Sequence, residues 1–121
     1  MLIHCKCGAL EKAREVFDQI QIRDVVTWNA LIAGYVQNGF AVETLECFEH
    51  MKDARILPDA ITYVCVLKAC GMLGSLETGE VVEFEVRKQG LLKKDVVLGT
   101  ALVDMYFKCG EIEKAREMFE Q

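Results

Sequence analysis

The chain lacks the excess of basic residues that marks a duplex-binding surface. Its 121 residues carry 14 Lys and Arg against 19 Asp and Glu, a formal net charge of −5, so a broad DNA-binding face is excluded. A single proline and 9 glycines are too few for a Pro-rich linker or a collagen-like repeat. No apolar run reaches the roughly 18 residues of a membrane span, because Thr27, Asn29, Gln37 and Asn38 interrupt the best candidate between Val25 and Val36. The two histidines, His4 and His50, lie near no Cys-x-x-Cys, and the six cysteines at 5, 7, 47, 65, 70 and 109 form none. Structural zinc needs four convergent ligands, so no metal is expected and the cysteines read as reduced core and turn residues.

Motifs of catalysis are missing as well. His4 is followed by Cys5 and Lys6, and His50 by Met51 and Lys52, which rules out the His-x-Glu of a zinc nucleobase deaminase in this chain. The glycines between Gly71 and Gly79 precede no Gly-Lys-Ser/Thr, so no phosphate-binding loop is present. Glu111, Glu113 and Glu117 interleaved with Lys114 and Arg116 read as a solvated helix face. The chain is expected to recognise rather than to catalyse, and to need no cofactor.

What the chain does have is internal repetition. Lys6 to Gln19 (KCGALEKAREVFDQ) and Lys108 to Gln121 (KCGEIEKAREMFEQ) agree at ten of fourteen positions across an offset of 102. With glycine as the turn marker, Gly8, Gly39, Gly74 and Gly110 are spaced by 31, 35 and 36 residues, a period that means stacked supersecondary units. Each unit reads as two helices. Trp28, Leu31, Ile32, Tyr35 and Val36 form an amphipathic stripe, Asn38 and Gly39 end it, and Val42, Leu45, Phe48 and Met51 form the next stripe before Pro58. The pattern recurs as Tyr63, Val66, Leu67 and Cys70 with Leu76, Gly79, Val82 and Val86, then as Leu98, Ala101, Leu102, Met105 and Tyr106 with Ile112, Ala115 and Phe119. Ala13, Gly79 and Ala115 share one register in the second helices, where close packing of the pair needs a small side chain. The expected fold is all-α, a solenoid of antiparallel helix-turn-helix units without strands, whose end faces expose Leu10, Phe17, Ile112 and Phe119.

These residues carry a family resemblance. Residues 25–59 (VVTWNALIAGYVQNGFAVETLECFEHMKDARILPD) resemble a P-type pentatricopeptide repeat, residues 60–95 with VLKACG resemble the L variant, residues 96–121 a truncated S variant, and residues 1–24 the rear of another S unit. The 31, 35 and 36 spacing resembles the plant PLS subclass, and the chain reads as a piece of a longer array. The resemblance implies a right-handed superhelix that binds single-stranded RNA at one base per repeat. It implies base reading by the fifth and last residues of a unit: Asn29 with Asp59, a pair similar to the uridine-preferring combination; Thr100, which leans to purine; and Asp24, left from the first unit. Val26, Ile61 and Val97 hold the register whose side chains sandwich bases. Lys6 and Lys108 hold the phosphate-contact register, with Gln37 and Met72 in the other units. Val64, fifth in the L unit, cannot read a base edge by hydrogen bonding, so that unit is expected to space.

The same resemblance implies organellar RNA modification (C-to-U editing) or processing in a mitochondrion or chloroplast. The expected partners are organellar RNA and editing-factor proteins, with neither DNA nor membrane. An alternative from another class is a tetratricopeptide-like peptide-binding scaffold. Trp28, Leu31, Tyr35 and Phe48 suit its pattern, whereas the uneven period and Thr44 and Ile56 at its small-residue and proline positions do not.

Overall fold

A computed structural model describes the backbone of residues 2–121 and the side chains of residues 8–121. The described residues form seven helices: α1 (Leu2–Gln19), α2 (Val25–Gln37), α3 (Ala41–Asp53), α4 (Ala60–Leu73), α5 (Leu76–Lys88), α6 (Val96–Lys108) and α7 (Ile112–Glu120). Among the described residues there is no strand, and no helix is long and apolar enough to cross a membrane. The first helices α2, α4 and α6 pack side by side in one layer, while α3, α5 and α7 each pack back on the first helix of their own unit. Because α3 and α5 also touch the first helix of the following unit, each hairpin is wedged into the next. This is an α-solenoid of helical repeats.

The core lies between the layers and is densest around α4 and α6. Tyr63, Val66, Leu67 and Cys70 meet Leu98, Leu102, Met105 and Tyr106 there, all fully buried, with Val82, Val86 and Ala115 closing the cluster from the second helices. Each large apolar side chain so buried contributes about 1.5–3 kcal/mol. Most polar groups reaching the core are paired, although the buried indole N–H of Trp28 has no partner. The Tyr63 hydroxyl donates to Glu85 at 3.1 Å and accepts from Gln89 at 2.8 Å, and Lys52 holds the same carboxylate at 2.8 Å, so one cluster of side chains fastens α3, α4 and α5 together. Burial pushes the Cys47 and Cys70 thiols up to about 11 and about 12, which keeps both protonated and inert.

The helix ends follow a repeated scheme. Asp24, Asp59 and Asp95 cap α2, α4 and α6, each accepting the backbone N–H three residues on, from Thr27, Thr62 and Leu98. At five C-termini the chain leaves in a Schellman turn, as in Phe40 N–H to Tyr35 C=O and Gly39 N–H to Val36 C=O. Glycine takes the left-handed position at Gly39, Gly74, Gly90 and Gly110, but Arg55 (φ 62°) takes it after α3. A side chain there costs roughly 1–2 kcal/mol, and Arg55 is exposed. Arg55→Gly should therefore raise stability by about 0.5–1 kcal/mol after the extra chain entropy of glycine is subtracted. A urea midpoint unchanged or lowered by the substitution would contradict this.

Four sequence expectations need correction. Gly8 lies inside α1 and not at a turn: extending an existing helix adds one hydrogen bond per residue without a new nucleus. Ala13 is exposed, since its helix has no first-helix partner before it in this chain, and the buried residues of that register are Thr44, Gly79 and Ala115. Phe17 is buried, edge-on to Trp28 with ring centroids 4.8 Å apart and beneath the guanidinium of Arg23. Val42 is exposed because α3 turns Ala41, Thr44, Cys47, Phe48 and Met51 inward. The end-face exposure expected of Ile112 and Phe119 is present, at 54% and 78%, and Met118 fills the buried position of α7.

Candidate functional site

The N-terminal ends of α2, α4 and α6 lie along one side of the first-helix layer, and their second residues point outward. Val26, Ile61 and Val97 are 70%, 60% and 63% exposed. Core packing thus does not account for these apolar side chains, which recur once per repeat. Between Ile61 and Val97 opens a slot of about 280 Å³, floored by Val64 and Cys65 and edged by Asp95. Its floor is apolar apart from the weakly hydrogen-bonding thiol of Cys65.

Asn29 and Asp59, thirty residues apart, meet at the adjoining position. Asn29 sits in the second turn of α2 and is only 7% exposed. Its Nδ2 donates to Asp59 Oδ1 at 2.9 Å. Asp59 is held by its own role as a cap: the same Oδ1 accepts the Thr62 N–H at 3.2 Å, while the Asp59 N–H donates to the Thr62 hydroxyl at 3.1 Å, a reciprocal capping box. The Thr62 hydroxyl donates to Asn29 Oδ1. An Asn–Asp–Thr network therefore spans two repeats, leaving the second Nδ2 proton of Asn29 and Asp59 Oδ2 outside it.

The other candidates are placed differently. Asp24 is exposed at the start of α2, where the Thr27 backbone and hydroxyl donate to its carboxylate and hold it below the usual range. Thr100 is exposed, with its hydroxyl turned back to Val96 C=O at 2.9 Å. Lys108 lies near the far end of α6, folded across Gly71 of α4 and paired with Asp104 at 3.0 Å. Three helical turns separate it from Val97, roughly 16 Å of rise, so it does not line the slot between Ile61 and Val97. Gln37 and Met72 are exposed at the matching ends of α2 and α4. The side chain of Lys6 lies outside the described residues. Among the described residues no cluster of three or more His, Cys, Asp or Glu could hold a metal ion.

Thr62 escaped sequence reasoning. Its signal was available in Asp59-x-x-Thr62, a capping-box spacing, but a cap gave no reason to look for a partner on another helix.

Residues 23–72 match the PPR repeat family, and residues 1–25 and 100–121 match the PPR repeat. The chain belongs to the pentatricopeptide repeat family. It is 42% identical over 118 residues to the pentatricopeptide repeat-containing protein At2g13600 of Arabidopsis thaliana, covering 98% of this chain and 17% of the relative. It is 41% identical over 123 residues to At3g22690 of the same plant, covering 99% and 14%. At2g22410, whose name carries the word mitochondrial, is 40% identical over 114 residues, covering 94% and 17%. The chain thus spans about a sixth of the length of these curated relatives. The matched family is the pentatricopeptide one, which displaces the tetratricopeptide alternative.

Proposed function

We propose that this chain is a stretch of a sequence-specific single-stranded RNA-binding array, in which the junction of the second and third units reads one base through Asn29 and Asp59. The observation that carries the reading is the hydrogen bond between these residues across thirty positions, beside the exposed Val26 and Ile61. An amide fixed by a carboxylate can address a pyrimidine edge by donor and acceptor together, and apolar side chains on either side can sandwich the ring. Uridine is the base we assign to this junction. The next junction pairs Val64 with Asp95 and spaces.

We read the units as partial S, P, L and truncated S, in the PLS manner, with Thr100 and Asp24 as half-sites whose partners lie in units not present in this chain. Lys6 and Lys108 add phosphate contacts at the edge of the track. The whole protein then serves modification or processing of an organellar transcript in a mitochondrion or chloroplast, a reading to which relatives named mitochondrial lend weight. Its own net charge of −5 predicts that few phosphates are neutralised per unit and that affinity therefore falls only shallowly with salt.

The test is binding of RNA homopolymers to the chain grafted between consensus repeats, compared with the Asn29→Thr variant. The wild-type graft should prefer uridine at one position, and the variant should move that preference toward guanosine by about tenfold, the scale of one lost base-edge pair. Equal binding of all bases by the wild-type graft would refute the assignment of Asn29 and Asp59.

A further inference from the structure

The amide of Asn29 can be turned over by a half rotation about its last bond, which exchanges donor for acceptor. That rotation matters for recognition, because uridine and cytidine differ by the same exchange along their pairing edges. A reader that flips freely serves both bases equally. Discrimination between them therefore needs something that holds the amide one way round.

Two groups in the structure do so. Asp59 Oδ1, 2.9 Å from Nδ2, would face Asn29 Oδ1 if the amide turned over, two acceptors without a proton between them. Thr62 acts from the opposite side. Its hydroxyl accepts the Asp59 N–H and so has its single proton free for Asn29 Oδ1, with Asp59 Oδ1 at 3.2 Å the more distant acceptor. Thr62 is fully buried and Asn29 nearly so, so water does not replace a missing bond cheaply. The junction of the third and fourth units has Leu98 where Thr62 stands, and Val64 where Asn29 stands. The unit without an amide to orient also lacks the hydroxyl.

We infer that Thr62, on the helix after the reader, is a positioning residue that fixes the amide of Asn29 and thereby sets uridine over cytidine. This rests on the base-reading role of Asn29 proposed above. Thr62 touches no base in this scheme. Its effect passes entirely through the orientation of Asn29.

The experiment uses the full 121-residue chain, ¹⁵N-labelled, as wild type, Thr62→Val and Thr62→Ser. Val keeps the shape and removes the hydroxyl, while Ser restores it. In the free protein the Asn29 side-chain NH₂ signals should show a rigid amide in the wild type and the Ser variant and a mobile one in the Val variant, with helical signal retained in all three. Titration with short oligouridine and oligocytidine at low salt should show the uridine preference falling about fivefold in Thr62→Val, the scale of one hydrogen bond, and returning in Thr62→Ser. An equally rigid amide or an unchanged preference in Thr62→Val overturns the positioning role alone. A wild-type chain that binds both RNAs equally overturns the base-reading role, and the positioning role with it.

Discussion

Gly79→Val should destabilise the protein by about 3 kcal/mol, the upper end of what overpacking a filled core costs. Gly79 lies on α5 against α6, and a Cβ built there would meet Met105 Sδ at 2.5 Å and Cε at 2.6 Å. Met105 is fully buried, with Cys109 Sγ 3.7 Å from its sulfur, so its thioether has nowhere open to retreat. Alanine is a milder case. The helix propensity that it gains over glycine, about 1 kcal/mol, offsets much of the strain of displacing one flexible side chain, and Gly79→Ala should fall within about 1 kcal/mol of wild type. Valine adds two more methyl groups with a stiff χ1 and should show the full cost. Urea unfolding of the single variants and of Gly79→Val combined with Met105→Ala provides the check. Removing Met105 costs roughly 2–5 kcal/mol alone, but on that background valine should cost less than about 1 kcal/mol, a coupling that only contact produces. A Gly79→Val protein as stable as wild type would mean that α5 and α6 do not approach this closely.

That close approach illustrates what was legible in the sequence. The 3.6-residue stripes of α4 and α6 picked out Tyr63, Val66, Leu67, Leu98, Leu102 and Met105, all buried, and the repeat period announced a solenoid. Errors gathered where a stripe is one residue wide of its neighbour. In α3 the inward arc runs Ala41, Thr44, Cys47, Phe48 and Met51, so an apolar Val42 reads as core although it stands about 100° away. The ends of the chain misled for another reason: Gly8 and Ala13 carry the same local signals as their counterparts, but burial and turns are set by neighbouring units, and the first unit has no first helix in this chain to supply them.

The candidate site shows the same division between local and long-range information. The family resemblance was enough to bring Asn29 and Asp59 under suspicion as a pair, since it singles out the fifth and last residues of a unit. The orientation of the amide was not readable. It depends on a hydroxyl proton of Thr62 that points across a helix boundary, and on Asp59 serving at once as cap and as partner. Asn29 lies in the second turn of its helix and caps nothing, whereas Asp59 is a cap. The cap and the bond to Asn29 therefore share one oxygen of Asp59 and do not compete.

Glu83→Leu should cost about 3 kcal/mol at neutral pH, and the part of that cost that rests on the carboxylate charge should disappear in acid. Glu83 is 9% exposed on α5, accepting from the hydroxyl of the fully buried Tyr106 on α6 and from Arg87 Nε at 2.8 Å, with Lys114 of α7 at 3.9 Å. One carboxylate thus ties three helices. Leucine matches its bulk but leaves the Tyr106 hydroxyl buried without an acceptor, at about 1–3 kcal/mol, and forfeits charge-assisted bonds of similar size. Arg87 is partly exposed and keeps Gln121 at 2.8 Å, so it adds little to the loss. Adding Tyr106→Phe removes the orphaned hydroxyl and should recover about 1–2 kcal/mol, because an apolar pair of the same shape tolerates burial that a broken polar pair does not. The pH dependence follows from the direction of the shift. Burial alone raises the Glu83 carboxyl, but the bonds from Tyr106 and Arg87 and the charges of Lys114 and Arg87 outweigh it and hold the group below the ordinary carboxylate range. A folded-state value below the unfolded one stabilises the protein above about pH 4.3 and ceases to do so as pH falls through the folded value. The gap between wild type and Glu83→Leu, measured by urea unfolding from pH 7 down to 3, should hold steady to about pH 5 and then narrow. A gap that stays constant across this range would show that Glu83 contributes through packing and not through its charge.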